Sequence, residues 1–413
     1  MEHQDEYQKL VSMMSSPRRV TCTLNFDTLV EIDNTVSSTA TVVSVNNARN
    51  SVKLLDTVRV LTDLNLSIQK GYISFDGCWF LDVFHVTDER GHKILDPVLL
   101  SHIEHSIVVG EISSTEEGAT GLMALELTGV DRPGLLSEVC GVLRDLKCNV
   151  VEAKMWTHNA RIACLVFVND HHSGLIPTAL ADRHPCILTR LRKVLSGSAA
   201  KATVVSSSPT LAHSDRRLHQ LMFRDRCDEE ASSSSSSSQS KLSVSVQRLA
   251  EHGYSVVNVQ CPDRPKLLFD VVCTLTDMDY VVFHGKFGVD ADRAFQEFYI
   301  RRMDGSMLSS ETERQRVIHC VQAAIERRAS EGVVRLALRM PDRRGLLAEV
   351  TRVFRENGLM IRSVEIATKN GEANDEFCVT DISGRLPDSG TVNAVIDLIG
   401  EGHLIKLTEQ SRS

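Results

Sequence analysis

Three stretches of this 413-residue chain carry the same short string: Asp131-Arg132-Pro133-Gly134-Leu135-Leu136, Asp263-Arg264-Pro265-Lys266-Leu267-Leu268 and Asp342-Arg343-Arg344-Gly345-Leu346-Leu347. The chemistry such a string can offer is recognition of a small zwitterion. A strand-to-helix turn leaves backbone N–H groups unpaired, and the start of a helix favours a carboxylate. Glycine, lacking a Cβ, lets a ligand approach the main chain closely. The aspartate can accept hydrogen bonds from a ligand ammonium group. The candidate ligand-binding residues are therefore Asp131, Arg132, Gly134 and Leu135 in one string, Asp342, Gly345 and Leu346 in another, and Asp263 and Lys266 in the third. Lys266 replaces the glycine there, and could pair with Asp263 or meet a ligand carboxylate. A purely structural role fits the same residues: aspartate as an N-cap, proline in a first helical turn, leucines in the core and arginines at the surface.

The residues around each string say which elements must position it. An apolar strand precedes it, at Leu122–Leu127, Ser255–Gln260 and Val333–Arg339. A helix follows, with Leu135, Leu136, Val139, Val142, Leu143 and Leu146 on one face in the first of the three. The alignment continues without gaps: Leu143 matches Leu275 and Phe354, and Asp145 matches Asp277 and Glu356. A fourth, weaker copy lies nearer the N-terminus. There Val60-Leu61-Thr62-Asp63-Leu64 matches Val142-Leu143-Arg144-Asp145-Leu146, after a strand at Thr39–Val45. Its loop, Arg49-Asn50-Ser51-Val52, has lost the motif, and Val52 stands at the glycine position. Each helix gives way to a hairpin, marked by Asp76-Gly77 in the first copy and Asn370-Gly371 in the last. A second helix follows, clearest at Glu311–Ala329. Strand, helix, hairpin and helix describe a split βαβ unit. The expected fold class is α+β: tandem ferredoxin-like βαββαβ modules, antiparallel sheets with both helices on one face.

Spacing divides the chain. Strings beginning at 131, 263 and 342 leave an excess before the third copy, which is expected to be a linker over 206–252 containing seven serines at Ser232–Ser238. Within it, Asp215–Glu230 could form a short charged helix carrying Leu218, Leu221, Met222 and Phe223. The boundaries are an N-terminal extension at 1–37, modules at 38–112, 120–205, 253–331 and 332–410, and the linker. Only one strand, Val333–Arg339, separates the last two copies, so the third should lack a final strand of its own or share that one. Because Gly134 and Gly345 are kept while Val52 and Lys266 are not, each half of the chain is expected to pair a module without glycine with a module that has it.

Composition narrows the function classes. Net charge is −8 and pI near 6.0, which does not call for a nucleic-acid partner. Eleven cysteines occur singly with no C-x-x-C, and His171, His172 and His184 have no metal-site spacing. No metal, no other cofactor and no catalytic residue is expected: no P-loop, dinucleotide fingerprint or defensible triad is present. Neither a secretory leader nor an 18-residue apolar run is found, so no membrane partner is expected and residence in the cytoplasm or nucleus is the default.

The D-R-P-G-L-L string between a strand and an amphipathic helix resembles the ACT domain. Four such units in one chain look like the plant family of ACT-domain-repeat proteins. The run from Asp263 through Asp270, with Cys273–Asp277 after it, is close to that family's pattern, as are Tyr72–Ser74 and Asp82–Asp88 in the first copy. The family is similar to the C-terminal sensory part of the bacterial uridylyltransferase of nitrogen control. The resemblance implies amino-acid sensing without catalysis, with sites between paired modules within or between chains and a protein partner reading the signal. Alternatives are a ligand-free interaction scaffold and an RNA binder. The latter would use exposed aromatics such as Phe283, Phe287, Phe295 and Phe298.

Overall fold

A computed structural model describes residues 28–48, 53–75, 79–109, 122–170, 178–195, 200–205, 214–224, 242–328, 332–400 and 402–407. Module 1 contains β1 (Leu29–Asp33), β2 (Thr41–Ala48), α1 (Lys53–Asp63), β3 (Ser67–Phe75), β4 (Trp79–Thr87) and α2 (Pro97–Val109). Module 2 contains β5 (Met123–Val130), α3 (Leu135–Asp145), β6 (Cys148–His158), β7 (Arg161–Asp170), α4 (Thr178–Val194) and β8 (Lys201–Val205). A separate helix, α5 (Ser214–Arg224), follows. Module 3 contains β9 (Ser243–Leu249), β10 (Tyr254–Pro262), α6 (Leu267–Asp277), β11 (Tyr280–Asp290), β12 (Arg293–Arg302) and α7 (Glu311–Glu326). Module 4 contains β13 (Val334–Pro341), α8 (Leu346–Glu356), β14 (Leu359–Lys369), β15 (Glu372–Asp381), α9 (Ser389–Ile399) and β16 (Leu404–Leu407).

The modules do not pair as the halves of the chain suggested. One eight-stranded sheet runs β1-β2-β4-β3-β11-β12-β10-β9, joining module 1 to module 3. The other runs β16-β13-β15-β14-β6-β7-β5-β8, joining module 4 to module 2. The two glycine-bearing modules thus share one sheet, and the two without glycine share the other. Each seam is antiparallel and pseudo-symmetric. Lys154 of β6 stands opposite Glu365 of β14, and the offset that carries Asp131 onto Asp342 carries Lys154 onto Glu365. The equivalent residues at the other seam, Tyr72 and Lys286, also face each other. Each sheet and its helices enclose one continuous hydrophobic core spanning both of its modules.

Two further boundaries move. Leu29–Asp33, in the expected extension, pairs with β2 as the edge strand of module 1. Ser243–Leu249, in the expected linker, pairs with β10 as the edge strand of module 3. In modules 2 and 4 that edge is filled from the C-terminal side, by β8 and β16. Among the described residues module 3 has no strand of its own between α7 and β13, in line with the scarcity of residues there, and a strand preceding the module covers the edge instead. An apolar sheet edge has to be covered by something, and either chain direction can supply an antiparallel strand.

The last hairpin turns at Asn370 and Gly371 with φ of 52° and 78°, the left-handed pair a two-residue turn needs. Gly358, with φ of 70°, follows the end of α8 as a C-terminal glycine does. Arg49–Val52, Asp76-Gly77 and the serine tract lie outside the described residues. The charged helix after module 2 is present as Ser214–Arg224, its apolar side (Leu218, Leu221, Met222) packed on Trp156, Leu165 and Phe167 of the sheet face away from α3 and α8.

Candidate functional site

All three strings fold alike. The aspartate's backbone N–H donates to the turn of its own module's hairpin: Asp131 to Ala160 O at 2.8 Å, Asp263 to Asp292 O at 2.8 Å, Asp342 to Gly371 O at 2.7 Å. The aspartates are not the helix caps. That position falls to Gly134, Lys266 and Gly345, all left-handed with φ of 78°, 64° and 79° and none making a side-chain cap. The tight turn spends three residues between the aspartate and the first helical residue, which puts the carboxylate out of capping reach. Each string's arginine pairs with an acid six residues on: Arg132 with both oxygens of Glu138 at 2.6 Å, Arg264 with Asp270 at 2.7 Å, Arg343 with Glu349 at 2.7 Å. Arg132 also donates to Val194 O. These arginines staple loop to helix, so Arg132 is already engaged.

The glycines have a role the string alone does not disclose. Helices α3 and α8 lie side by side across the seam of the second sheet, and each sends an arginine over the other module's loop. A Cβ built on Gly134 would fall 2.3 Å from Cδ of Arg355, and one on Gly345 would fall 3.0 Å from Cδ of Arg144. The two arginines are equivalent positions in the repeat. In modules 1 and 3 the matching residues are Thr62 and Thr276. Glycine and arginine are thus retained together or lost together.

Between loop and arginine lies a cleft lined by Asp131 to Ser137, Met155 and Ile162 of module 2 and by Thr351, Arg355 and Leu359 to Ile361 of module 4. The space open to a water-sized sphere is ≈ 20 Å³, room for about one water. Burial pushes the Asp131 carboxyl up to about 6, while Arg362 of module 4 acts in the opposite direction. Burial also raises Asp342, countered by a hydrogen bond from Thr368 Oγ1 at 3.3 Å. Arg362 occupies a β-bulge, the extra residue between Ile361 and Ser363. Gln69, Val151 and Phe283 occupy the same bulge in the other three modules. A bulge re-aims the side chain it carries, and sequence spacing gives no sign of it. Arg144, Arg355, Thr351 and Arg362 are the residues that reading the strings missed. Internal alignment could have flagged the arginines on the helices, but not their partner module.

The third string is differently employed. Lys266 pairs with neither Asp263 nor an open cleft; its Nζ donates to Asp215 of α5 at 2.9 Å. Asp215 also meets Lys154 at 3.0 Å and Arg328 at 2.9 Å. Asp270, fully buried, holds Arg264, Arg328 and His219. Despite burial, the lysines and arginines around them keep both carboxyls well below the ordinary range. Arg328 lies 4.4 Å from the ring centre of Trp156. Of the four phenylalanines considered for RNA, Phe287 and Phe298 are in the core, while Phe295 is 37% exposed. Among the described residues no group of three His, Cys, Asp or Glu could hold a metal ion, and no helix is long and apolar enough to cross a membrane.

Comparison with known proteins agrees with this architecture. The ACR family N-terminal ACT domain matches residues 36–114, and the ACT domain matches residues 122–184. The chain is 52% identical to ACT domain-containing protein ACR8 of Arabidopsis thaliana, over 96% of this chain and 87% of the relative. It is 46% identical to ACT domain-containing protein ACR4 of the same plant, over 96% and 88%. Similarity of this degree along almost the whole of both chains, on ferredoxin-like modules paired through their sheets, shows that the protein belongs to the ACR family of ACT domain-containing proteins.

Proposed function

We propose that this protein is a regulatory sensor of amino acids, whose ligand enters the seam between modules 2 and 4 and whose response is read by a protein partner. ACT domains are regulatory, amino-acid-binding modules. The observation that carries the reading here is the cleft at Asp131, where a raised, half-buried carboxyl from one module faces arginine from the other. Asp131, Gly134 and Leu135, with Asp342, Gly345 and Leu346 in the reciprocal position, are the residues proposed to meet ligand. Lys266 donates to Asp215 of α5, so in this reading the third string, with Asp263, is not the primary site. A sensor needs two arrangements with different ligand affinity. Closure of the seam around a ligand would supply them, since α3 and α8 each bridge to the other module's loop. No catalytic step is part of the proposal.

Calorimetry of the full chain with each of the twenty amino acids tests it. At least one should bind saturably, and Gly134→Val with Gly345→Val should abolish that binding. Both substitutions drive a β-branched side chain into the opposite arginine at a left-handed backbone position. Unchanged affinity in the double variant would remove these loops from the site. A chain that binds none of the twenty is the ligand-free scaffold.

A further inference from the structure

Each sheet ends in two outermost strands, β1 and β9 in one, β16 and β8 in the other. Such strands present unpaired backbone N–H and C=O groups, and a lysine or arginine on them guards against further pairing. Three of them carry one: Arg248 on β9, Lys201 on β8 and Lys406 on β16, with no acid on any. β1 reverses this, with Glu31 and Asp33 and no cation. Thr35 donates to the Asp33 carboxylate and holds its carboxyl below the ordinary range, so it stays charged. Lys93, the cation that acts on it, is taken up by the carbonyls of Asn34 and Ser37.

Beside β1 runs an open groove whose other wall is α2. The space there open to a water-sized sphere is ≈ 540 Å³, a volume in the range of ligand clefts. Val30 and Ile32 turn toward the core, and Leu29, Glu31 and Asp33 alternate to the other face. The helix wall offers Leu100 and Ser101, with Glu104 one turn further on. The outer side of α2 is not built for water. Val98 is 77% exposed, Val108 and Val109 are also exposed, and Glu104 is the helix's single acid, with no lysine or arginine. The equivalent helix of module 3, α7, carries Glu311, Glu313, Arg314, Arg316 and Glu326. Exposed apolar residues gathered beside an acidic strand edge mark a contact surface. We infer that β1 and α2 form a docking groove for an extended segment of a partner protein in which apolar and basic residues alternate. The segment adds to the sheet as a further strand beside β1. Its apolar residues, level with Val30 and Ile32, turn toward Leu100, and its cations stand beside Glu31 and Asp33 as cross-strand pairs. This rests on the reading above only in giving the sensor's protein partner a place and a chemistry.

Fluorescence anisotropy of the full chain with the labelled peptide KVKVKVK tests this at low salt. That peptide should bind saturably. EVEVEVE reverses the charge, and KKKVVVK keeps the composition but breaks the alternation; each should bind at least about tenfold more weakly. Glu31→Lys with Glu104→Lys should weaken binding of KVKVKVK by about tenfold or more. Both side chains are exposed, and an unchanged melting temperature shows that the variant is folded. Ser101→Trp, also at an exposed position, fills the groove from the helix side. It should weaken binding to a similar degree and keeps the test open if the charge variant does not fold. No saturable binding of KVKVKVK, equal binding of either control peptide, or wild-type affinity in a folded variant would overturn the assignment. So would a dimer in gel filtration that Glu31→Lys disperses, because the groove would then belong to a second copy of the chain. No amino acid is present in the assay, so this assignment and amino-acid sensing stand or fall by separate measurements.

Discussion

Asp82 and Asp375 occupy the same repeat position as Cys164 and Gln296, on the sheet face beneath the helices. Both are 3% exposed, and one carboxylate oxygen of each lacks a hydrogen-bond partner. Burial pushes each carboxyl up to about 7. With the folded pKa above the unfolded value, the native state holds protons that the unfolded chain has released, and stability falls as pH rises from about 4 to about 7. Asp82→Asn and Asp375→Asn should each flatten that slope and raise the melting temperature at pH 8 relative to wild type; an unchanged slope would show that the carboxyls are not buried as charges at pH 8. Asp131 carries the same sign at the proposed ligand site. Its carboxyl, at about 6, is protonated below that pH, so amino-acid affinity should drop between pH 7.5 and pH 5, and calorimetry at the two pH values reads it.

At the level of elements, α5 is the piece that joins the sheets. Its apolar side covers the β6–β7 face of module 2, and its polar side reaches α6 through Arg216 to Asp277 at 2.9 Å and His219 to Asp270 at 2.8 Å. Lys266 is held in a left-handed conformation that costs a non-glycine residue about 1–2 kcal/mol, and its ion pair with Asp215 offsets that. Removing one partner of a buried charge cluster costs about 3–5 kcal/mol. Asp270→Ala should therefore destabilise the chain by that order in denaturant titration, and should shift Trp156 emission to longer wavelength as the Arg328 stack loosens. No change in either would reduce the network to decoration. Both depressed carboxyls make this stabilisation present above about pH 4 and lost as pH falls below it, opposite in sign to Asp82. The seam of modules 1 and 3 is fixed by size. Phe287 faces Gly71, where a Cβ would lie 2.4 Å from the ring, and the equivalent positions in modules 2 and 4 are Ala153 and Val364. Phe287 fits across from module 1 and would overlap either of the others.

For the whole molecule, interleaved pairing means that neither half of the chain is a folding unit. Modules 1 and 2 are joined in sequence, yet each completes its sheet and its core with a module from the other half. A chain with a protease site inserted in the serine tract, cut after folding, should therefore run as one particle in native gel filtration and come apart only in denaturant. Separation of the two fragments under native conditions would overturn the pairing. The same arrangement places both glycine loops on one seam, and a ligand entering there as proposed would act on a sheet whose outer face is tied through α5 to the second.

The sequence by itself determined the module: four copies, the strand, helix and hairpin that each repeats, the glycine at the hairpin turn, and too few residues for a last strand of its own in module 3. These are local properties, written in periodicity, turn residues and the repeat. Partner choice is not local. The tertiary structure alone decided that Gly134 faces Arg355 rather than a residue of its own half, that β1 and β9 cover edges from the N-terminal side, and that Arg362 is aimed by a bulge toward Asp131. The physical reason is that exposed strand edges pair with whichever equivalent edge fits. Complementary size at the seam and the charges around α5 settle the choice, and both involve residues hundreds of positions apart or on another element.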